Sequence, residues 1–184
     1  MKIVDTDVLI IGGGGAALRA AIEAGNADVR VLTILKNEIG NSGATSFQVS
    51  EMAGFNSPDG VKDPTDNPES YLKDIIEAGQ GMADLNVAKV IAENAQRSVH
   101  ELETWGVPFK KNQDGSYYAF LSCFSKKVRT HVIKGHGEPI ISALLKRLPK
   151  NVEILEKTTA LKLLVKNNNC YGAYVVRDKN EEMI

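Results

Sequence analysis

The hydrophobic pattern begins with a short apolar strand that leads directly into a glycine turn. Residues 8–11 are four consecutive apolar residues, and Gly12 follows them at once. Residues 16–24 then carry alanine, leucine and isoleucine at helical spacing, and a second strand-like segment, residues 29–32, comes one helix length later. This order predicts a strand–helix–strand unit whose two strands run parallel.

Capping residues mark two further helices in the middle of the chain. Asn67 and Pro68 predict a helix that begins there and runs to about residue 78, and Asp84 caps a second helix that Gly106 stops. In the second helix, apolar residues recur at three- and four-residue spacing and predict one buried face: Val87, Val90, Ile91, Ala95, Val99 and Leu102. Residues 36–67 lack such a pattern and predict a long loop.

The last third of the chain predicts one helix followed by several strands. We expect a helix over residues 137–148 and strands over 152–155, 160–165 and 171–176. A turn near residues 177–181 would start a returning strand at 182–184 with no partner for its outer edge. Because natural domains avoid such edges, this pattern predicts a truncated domain.

The glycine turn is the strongest chemical signal. Gly12 allows a tight turn after the strand, Gly14 leaves the backbone open to a pyrophosphate, and Ala17 lets the helix pack closely on the strand. The N–H groups and the positive dipole end of the following helix favour an anion above the turn. The pattern therefore predicts an α/β fold that binds a dinucleotide.

Length, charge and cysteine content narrow the classes of protein to which this sequence could belong. The chain has 184 residues, 43% of them hydrophobic, and a formal net charge of −1, so one domain without a nucleic-acid surface is expected. We expect no signal peptide and no direct membrane insertion. Cys123 and Cys170 are far apart in sequence, which predicts ordinary reduced thiols in a cytoplasmic protein and no metal site.

Several motifs in this order support a family resemblance. They are residues 7–19, residues 42–45, residues 75–81 with Asp84, residues 102–109 and residues 171–173. Together they resemble the N-terminal part of the flavoprotein family that contains succinate dehydrogenase and fumarate reductase flavoprotein subunits, L-aspartate oxidase and the adenylylsulfate reductase α subunit. The resemblance implies that residues 1–184 are part of a Rossmann-like FAD-binding domain, with a central parallel sheet, added antiparallel strands and no capping or substrate domain.

The resemblance also implies roles for individual residues in binding FAD. It assigns Thr33 to the ribose, with Glu38 as a weaker candidate, and it assigns two segments to the pyrophosphate and to an arch over the flavin: Gly12, Gly14, Gly15, Ala16 and Ala17, and Ser42, Gly43, Ala44, Thr45 and Ser46. Ala44 stands where several members attach FAD through a histidine, so noncovalent FAD is expected. Ser50 and Glu51 depart from a glycine pair of the family.

A basic segment before the last helix contains two of the three histidines. His131 and His136 lie there with Lys127, Arg129 and Lys134, and such a loop could attract an anion. The resemblance, however, places the substrate-binding arginines and histidines beyond this chain. The catalytic residues therefore stay unassigned.

The resemblance implies a flavin-dependent oxidoreductase that transfers a hydride between FAD and a small dicarboxylate or related acid. An iron–sulfur partner subunit, and through it a place at the cytoplasmic face of a membrane, would fit the same family, and the chain alone is expected to be inactive. An adenylylsulfate reductase-like or L-aspartate oxidase-like protein is an alternative within the family. An NAD(P)-binding reductase domain and a non-catalytic nucleotide-binding module are alternatives outside it.

Overall fold

The computed structural model describes residues 2–41, 43–46, 54–123, 125–177 and 180–183. It divides into two compact units. Unit 1 consists of Met1–Glu51 and Ile140–Ile184, and unit 2 is the continuous stretch Met52–Pro139. Unit 2 is therefore an insertion between the two segments of unit 1.

In its described residues, the first segment of unit 1 holds one helix between short strands, and the second segment is mostly strand. In chain order the elements are β1 (Lys2–Ile3), β2 (Val8–Ile11), α1 (Gly15–Asn26), β3 (Val31–Ile34), β4 (Gly54–Asn56), α2 (Pro68–Ala78), α3 (Leu85–Thr104), β5 (Ala119–Phe120), β6 (Thr130–Val132), α4 (Glu138–Leu145), β7 (Val152–Leu155), β8 (Thr158–Lys166), β9 (Asn169–Arg177) and β10 (Asn180–Met183). The predicted strand–helix–strand unit is β2–α1–β3.

A three-stranded parallel sheet forms the centre of unit 1, with the order β2–β3–β7. β3 begins two residues later than the pattern predicted. The reason is a contact across 23 positions, because the N–H of Arg30 donates to the Asp7 carboxylate at 2.9 Å instead of joining a strand ladder. The predicted strand at residues 152–155 is confirmed as β7.

A second sheet packs against the parallel one. Its order is β1–β10–β9–β8, and the core between the sheets is apolar: Leu32, Ile34, Leu155, Ala173 and Val175. The predicted free edge of the returning strand is wrong. β10 pairs with β9 on one side and runs parallel to β1 on the other, with Ile3 opposite Met183.

Unit 2 combines the helices α2 and α3 with a small antiparallel sheet of order β4–β6–β5. The start of α2 is confirmed at Pro68, and its cap is reciprocal: the Asn67 side chain accepts from the Ser70 N–H, and the Ser70 hydroxyl accepts from the Asn67 N–H. The predicted loop over residues 36–67 is wrong in one place, because β4 lies within it and pairs with β6 across the chain.

The buried face of α3 differs from the predicted one. Val99 and Leu102 are buried as expected, but the other buried positions are Ala88 and Ala92. The side chains predicted with them, Val87, Val90 and Ile91, are about half exposed. α2 packs against α3, and the buried positions of α3 include the two small alanines rather than these larger residues. In the described part of the chain, no helix has the length and apolar character needed to cross a membrane.

Candidate functional site

The glycine turn joins β2 to α1 in unit 1. The N–H of Gly12 donates to the Ile34 carbonyl at 2.8 Å, and its φ of +131° lies in the region that favours glycine. α1 begins at Gly15, and its first regular bond runs from the Leu18 N–H to the Gly14 carbonyl at 3.0 Å. The N–H groups of the first turn therefore have no partner within the helix and point beyond its end.

The segment formed by residues 43–46 lies directly against this turn. The Thr45 hydroxyl accepts from the Gly15 N–H at 3.3 Å, and both the N–H and the hydroxyl of Ser46 donate to the Gly43 carbonyl, at 3.2 and 2.9 Å. A Cβ on Gly43 would lie only 3.2 Å from the Gly14 Cα. We call residues 12–17 together with residues 43–46 the glycine cradle. Ser42, also assigned to the site, lies outside the described residues.

At position 14, packing within the protein and the binding of a ligand place different demands on the residue. Its φ of −83° suits any residue, and among the described residues a Cβ there would meet nothing closer than the Gly43 Cα at 3.9 Å. The conformation and packing of the described residues therefore do not demand glycine. A dinucleotide pyrophosphate that approaches the backbone does demand it, so the cradle fits such a group.

Thr33 does not lie at the end of its strand. It is inside β3, completely buried, and its hydroxyl has no hydrogen-bond partner among the described residues. The residue that follows the strand is Leu35. Glu38, the weaker candidate, pairs with Lys157 at 3.4 Å and accepts from the Asn41 amide at 3.5 Å. The role of Thr33 at the ribose stays a prediction.

Acidic partners neutralise much of the basic segment in unit 2. Arg129 is almost fully buried and binds Asp66 through two nitrogens, at 2.8 and 2.9 Å, and Asp74 through a third, at 2.9 Å. Lys127 pairs with Asp63 at 3.0 Å. These contacts explain the cations as structural groups and give no support to the interpretation of the segment as a loop that attracts anions.

The His131 side chain also contacts other residues of unit 2. Its Nε2 lies 2.5 Å from an oxygen of Asp59, and its ring stacks on Tyr117 with 4.5 Å between centroids. The Tyr117 hydroxyl donates to Glu103 and lies 3.3 Å from the Nδ1 of His100. These residues come from distant parts of the chain, and no signal in the sequence pairs them.

The environment of this cluster shifts the pKa values of its members. Burial and the neighbouring Glu103 carboxylate raise the pKa of Tyr117 well above its usual value. Burial alone would raise the pKa of Asp59, but hydrogen bonds from His131 and from the Val61 N–H outweigh it and lower that pKa. Asp59 is therefore held as a carboxylate, and Tyr117 as a neutral phenol.

The rest of the basic segment and the cysteines form no further cluster. The N–H of Lys134 donates to the Pro108 carbonyl at 2.8 Å, and His136 has a φ of +61° in the turn before α4. Cys123 and Cys170 are exposed free thiols. Among the residues that the structure describes, no group of three or more His, Cys, Asp or Glu side chains could hold a metal ion.

Comparison with known families decides the membership of the chain. The model of a family described as "FAD binding domain" matches residues 7–184. The chain belongs to this family. The glycine turn predicted a dinucleotide and the resemblance specified FAD, and FAD is thereby confirmed as the cofactor.

Relatives of this FAD binding domain are flavoproteins of greater length. An uncharacterized FAD-dependent oxidoreductase of Methanocaldococcus jannaschii is 34% identical over 172 residues, which cover 91% of this chain and 30% of the relative. A subunit of the CoM/CoB fumarate reductase of Methanothermobacter marburgensis is 25% identical, with 100% and 33% covered. L-aspartate oxidase of Halobacterium salinarum is 30% identical, with 94% and 33% covered. The chain spans about a third of the length of these relatives.

Solved structures confirm the fold of the FAD binding domain. Mycobacterium smegmatis Sdh1 in the apo form superposes with a TM-score of 0.88 at 22% identity, covering 100% of this chain and 33% of that one. Adenylylsulfate reductase from Archaeoglobus fulgidus gives 0.78 at 23% identity, with 99% and 29% covered. The predicted Rossmann-like α/β class and the predicted family resemblance are confirmed.

Proposed function

We propose that the glycine cradle binds the pyrophosphate of FAD and that the FAD is held noncovalently. The observation that carries this proposal is Gly14, a glycine that the chain's own conformation and packing do not require. In the same proposal, residues 1–184 are the N-terminal portion of one FAD-binding domain.

The backbone of the glycine cradle would do most of the binding. The N–H groups of Ala16 and Ala17 stand in the first turn of α1, where the helix dipole favours the charge of a pyrophosphate. Thr45 would keep the facing segment in place through its bond to the Gly15 N–H. Ser46 would contribute as a support, because its hydroxyl is already bonded to Gly43.

The segment that faces the turn would lie near the flavin ring. Ala44 is exposed there, and a methyl side chain offers no atom for a covalent bond to the cofactor. We therefore expect FAD to leave the protein when the protein is denatured. Gly43 would let the segment approach the cofactor closely because it has no side chain. Its φ of +88° also disfavours any larger residue there.

For the whole protein we propose a flavin-dependent oxidoreductase that acts on a small dicarboxylate or related acid. Bound FAD would supply the chemistry by exchanging a hydride with such a substrate. The names of the relatives support this class, because they include L-aspartate oxidases and a component of a fumarate reductase. Electron transfer with an iron–sulfur partner subunit belongs to the same proposal, and so does a cytoplasmic location.

The first test is the visible absorption of the purified 184-residue chain, with and without added FAD. We expect a flavin spectrum that moves entirely to the supernatant after acid precipitation. Flavin that stays in the pellet would contradict noncovalent binding. A protein that takes up no FAD at all would contradict the proposed site.

A pair of variants tests the cradle itself by FAD titration. In Gly14→Ala the added methyl would enter the pyrophosphate position, and we expect FAD to bind at least about tenfold more weakly without loss of thermal stability. Ala27→Ser is the matched control, since it adds one exposed atom at the other end of α1. Equal affinity of the two variants for FAD would contradict the proposal.

A further inference from the structure

Leu35 lies at the carboxyl end of the parallel sheet, next to the glycine turn. It directly follows the last residue of β3, and its N–H donates to the Leu155 carbonyl at 3.1 Å. Its side chain is almost completely buried. Leu35 thus continues the ladder by one residue and ends at the level of the glycine turn.

The Leu35 side chain lies directly against the second glycine of that turn. A Cβ built on Gly13 would lie 2.5 Å from the Leu35 Cδ1, so the leucine would have to shift if residue 13 carried a side chain. In dinucleotide-binding folds of this kind, an acidic side chain at the end of the second strand accepts a hydrogen bond from the adenosine ribose. Leucine has no atom that can do so.

The acidic side chains that follow β3 and β7 have other partners. Glu156, just after β7, accepts from the Ile39 N–H at 2.9 Å. Glu38 pairs with Lys157. Thr33 is enclosed within its strand, two residues before Leu35. The position that would recognise the ribose is therefore filled by an apolar group.

We infer that Leu35 makes the FAD site indifferent to the 2′-hydroxyl of the adenosine ribose. This inference rests on the proposed function and adds a specificity to it. The adenosine half of FAD is held by apolar contact and by the backbone, and a nucleotide that lacks the 2′-hydroxyl binds as tightly as one that carries it.

The decisive experiment uses the unmodified chain. It compares the dissociation constants of FAD and of its 2′-deoxyadenosine analogue, and the inhibition constants of ADP and 2′-deoxy-ADP in competition with FAD. We expect both ratios to stay within about twofold, whereas loss of a carboxylate–ribose hydrogen bond would weaken binding about tenfold or more. A ratio near tenfold would overturn the inference while leaving the proposed function intact.

A second test uses a variant designed to distinguish FAD from its 2′-deoxy analogue. Leu35→Glu places a carboxylate against Gly13, and we expect this variant to bind FAD about tenfold more tightly than it binds the 2′-deoxy analogue. Leu35→Met is the matched control and should show no discrimination. Should the buried glutamate prevent folding, Leu35→Gln supplies the hydrogen-bond acceptor without charge. Discrimination in neither polar variant would overturn the role of position 35, and absence of any FAD binding by the unmodified chain would overturn the proposed function as well.

Discussion

The glycine cradle of unit 1 and the buried ion network of unit 2 are opposites in composition. The cradle consists of glycine, alanine and small hydroxyl residues, and none of its members is charged. The network contains the residue types that usually suggest a reaction centre: Arg129 with Asp66 and Asp74, and His131 with Asp59. The two regions therefore invite opposite interpretations from composition alone.

The hydrogen-bond partners in the two regions contradict the interpretation that composition suggests. In unit 2, the polar side chains of the network bind one another and hold separate elements together, so their chemistry serves the fold. In the cradle, the Gly15 N–H is bonded to Thr45, the N–H groups of Ala16 and Ala17 have no partner within the helix, and the described residues leave the space above Gly14 open. The comparison teaches that the absence of side chains marks the proposed binding site, whereas polar side chains mark a structural region.

The largest expected effect comes from Arg129→Met. Removing the guanidinium leaves Asp66 and Asp74 buried without their cation, and we expect the free energy of unfolding of unit 2 to fall by about 3–5 kcal/mol. Urea denaturation followed by the fluorescence of Trp105, the single tryptophan, measures it.

Arg30→Met is the control for this prediction. Arg30 forms a bidentate pair with Asp7, but both side chains are largely exposed, so little change in the unfolding midpoint is expected. If Arg129→Met shifted the midpoint no more than Arg30→Met does, the network would not be the structural element that we describe.

The next effect concerns Asp59→Asn and is pH-dependent. Loss of the charged hydrogen bond to His131 should cost about 2 kcal/mol near neutral pH. The pKa of Asp59 is lower in the folded protein than its ordinary value of 3.8, so its stabilisation is complete above that value and is lost as the pH falls through the folded pKa.

Urea denaturation followed by Trp105 fluorescence, repeated at several pH values from 7 into acid, measures this dependence. We expect the stability difference between the unmodified protein and Asp59→Asn to shrink once the pH falls below about 4. A difference that stays constant across this range would show that the Asp59 carboxylate does not carry the stabilisation.

A smaller effect separates two glycines of unit 1. A Cβ on Gly25 would lie 2.8 Å from Val152 and 2.9 Å from Pro149, so Gly25→Ala overpacks α1 against β7. The better helix propensity of alanine offsets part of this cost, and we expect a loss of about 1 kcal/mol. Far-UV circular dichroism during urea denaturation measures it.

Gly14→Ala should show the reverse behaviour. We expect it to retain stability and lose FAD affinity, whereas Gly25→Ala loses stability and retains FAD affinity at temperatures where it is folded. If both variants lost stability equally, Gly14 would be a packing glycine and the contrast between the regions would weaken.

The smallest expected effect is that of Thr33→Val. The Thr33 hydroxyl is buried with no partner in the described part of the chain, so replacing it with a methyl group should leave stability within about 0.5 kcal/mol or raise it slightly. FAD titration of the same variant tests the ribose assignment. Unchanged affinity would remove Thr33 from the site, and a tenfold loss would support its predicted role.

Local signals in the sequence were sufficient for several elements. The cap formed by Asn67 and Pro68 sets the start of α2, since its hydrogen bonds involve only neighbouring residues. The apolar run before Gly12 defines β2 and the turn in the same way. The glycine turn therefore predicted the fold class and a dinucleotide, and the family resemblance specified FAD.

Features that depend on distant partners were not predictable. β4 and β6 are only three residues long and exist because they pair across more than seventy positions. The exposure of Val87, Val90 and Ile91 depends on which parts of the fold pack against α3, and the apolar spacing of the helix alone does not give that. The pairing of Asp59 with His131 likewise has no local pattern, because the two residues are 72 positions apart.

The divided arrangement of unit 1 has a consequence for the order of events on the ribosome. β3 cannot find its partner β7 until residue 155 has been translated, and β1 must wait for β10. Unit 2 is continuous and can complete its contacts earlier. The glycine cradle is therefore translated before unit 2, but the sheet beneath it can be completed only after unit 2 has been translated.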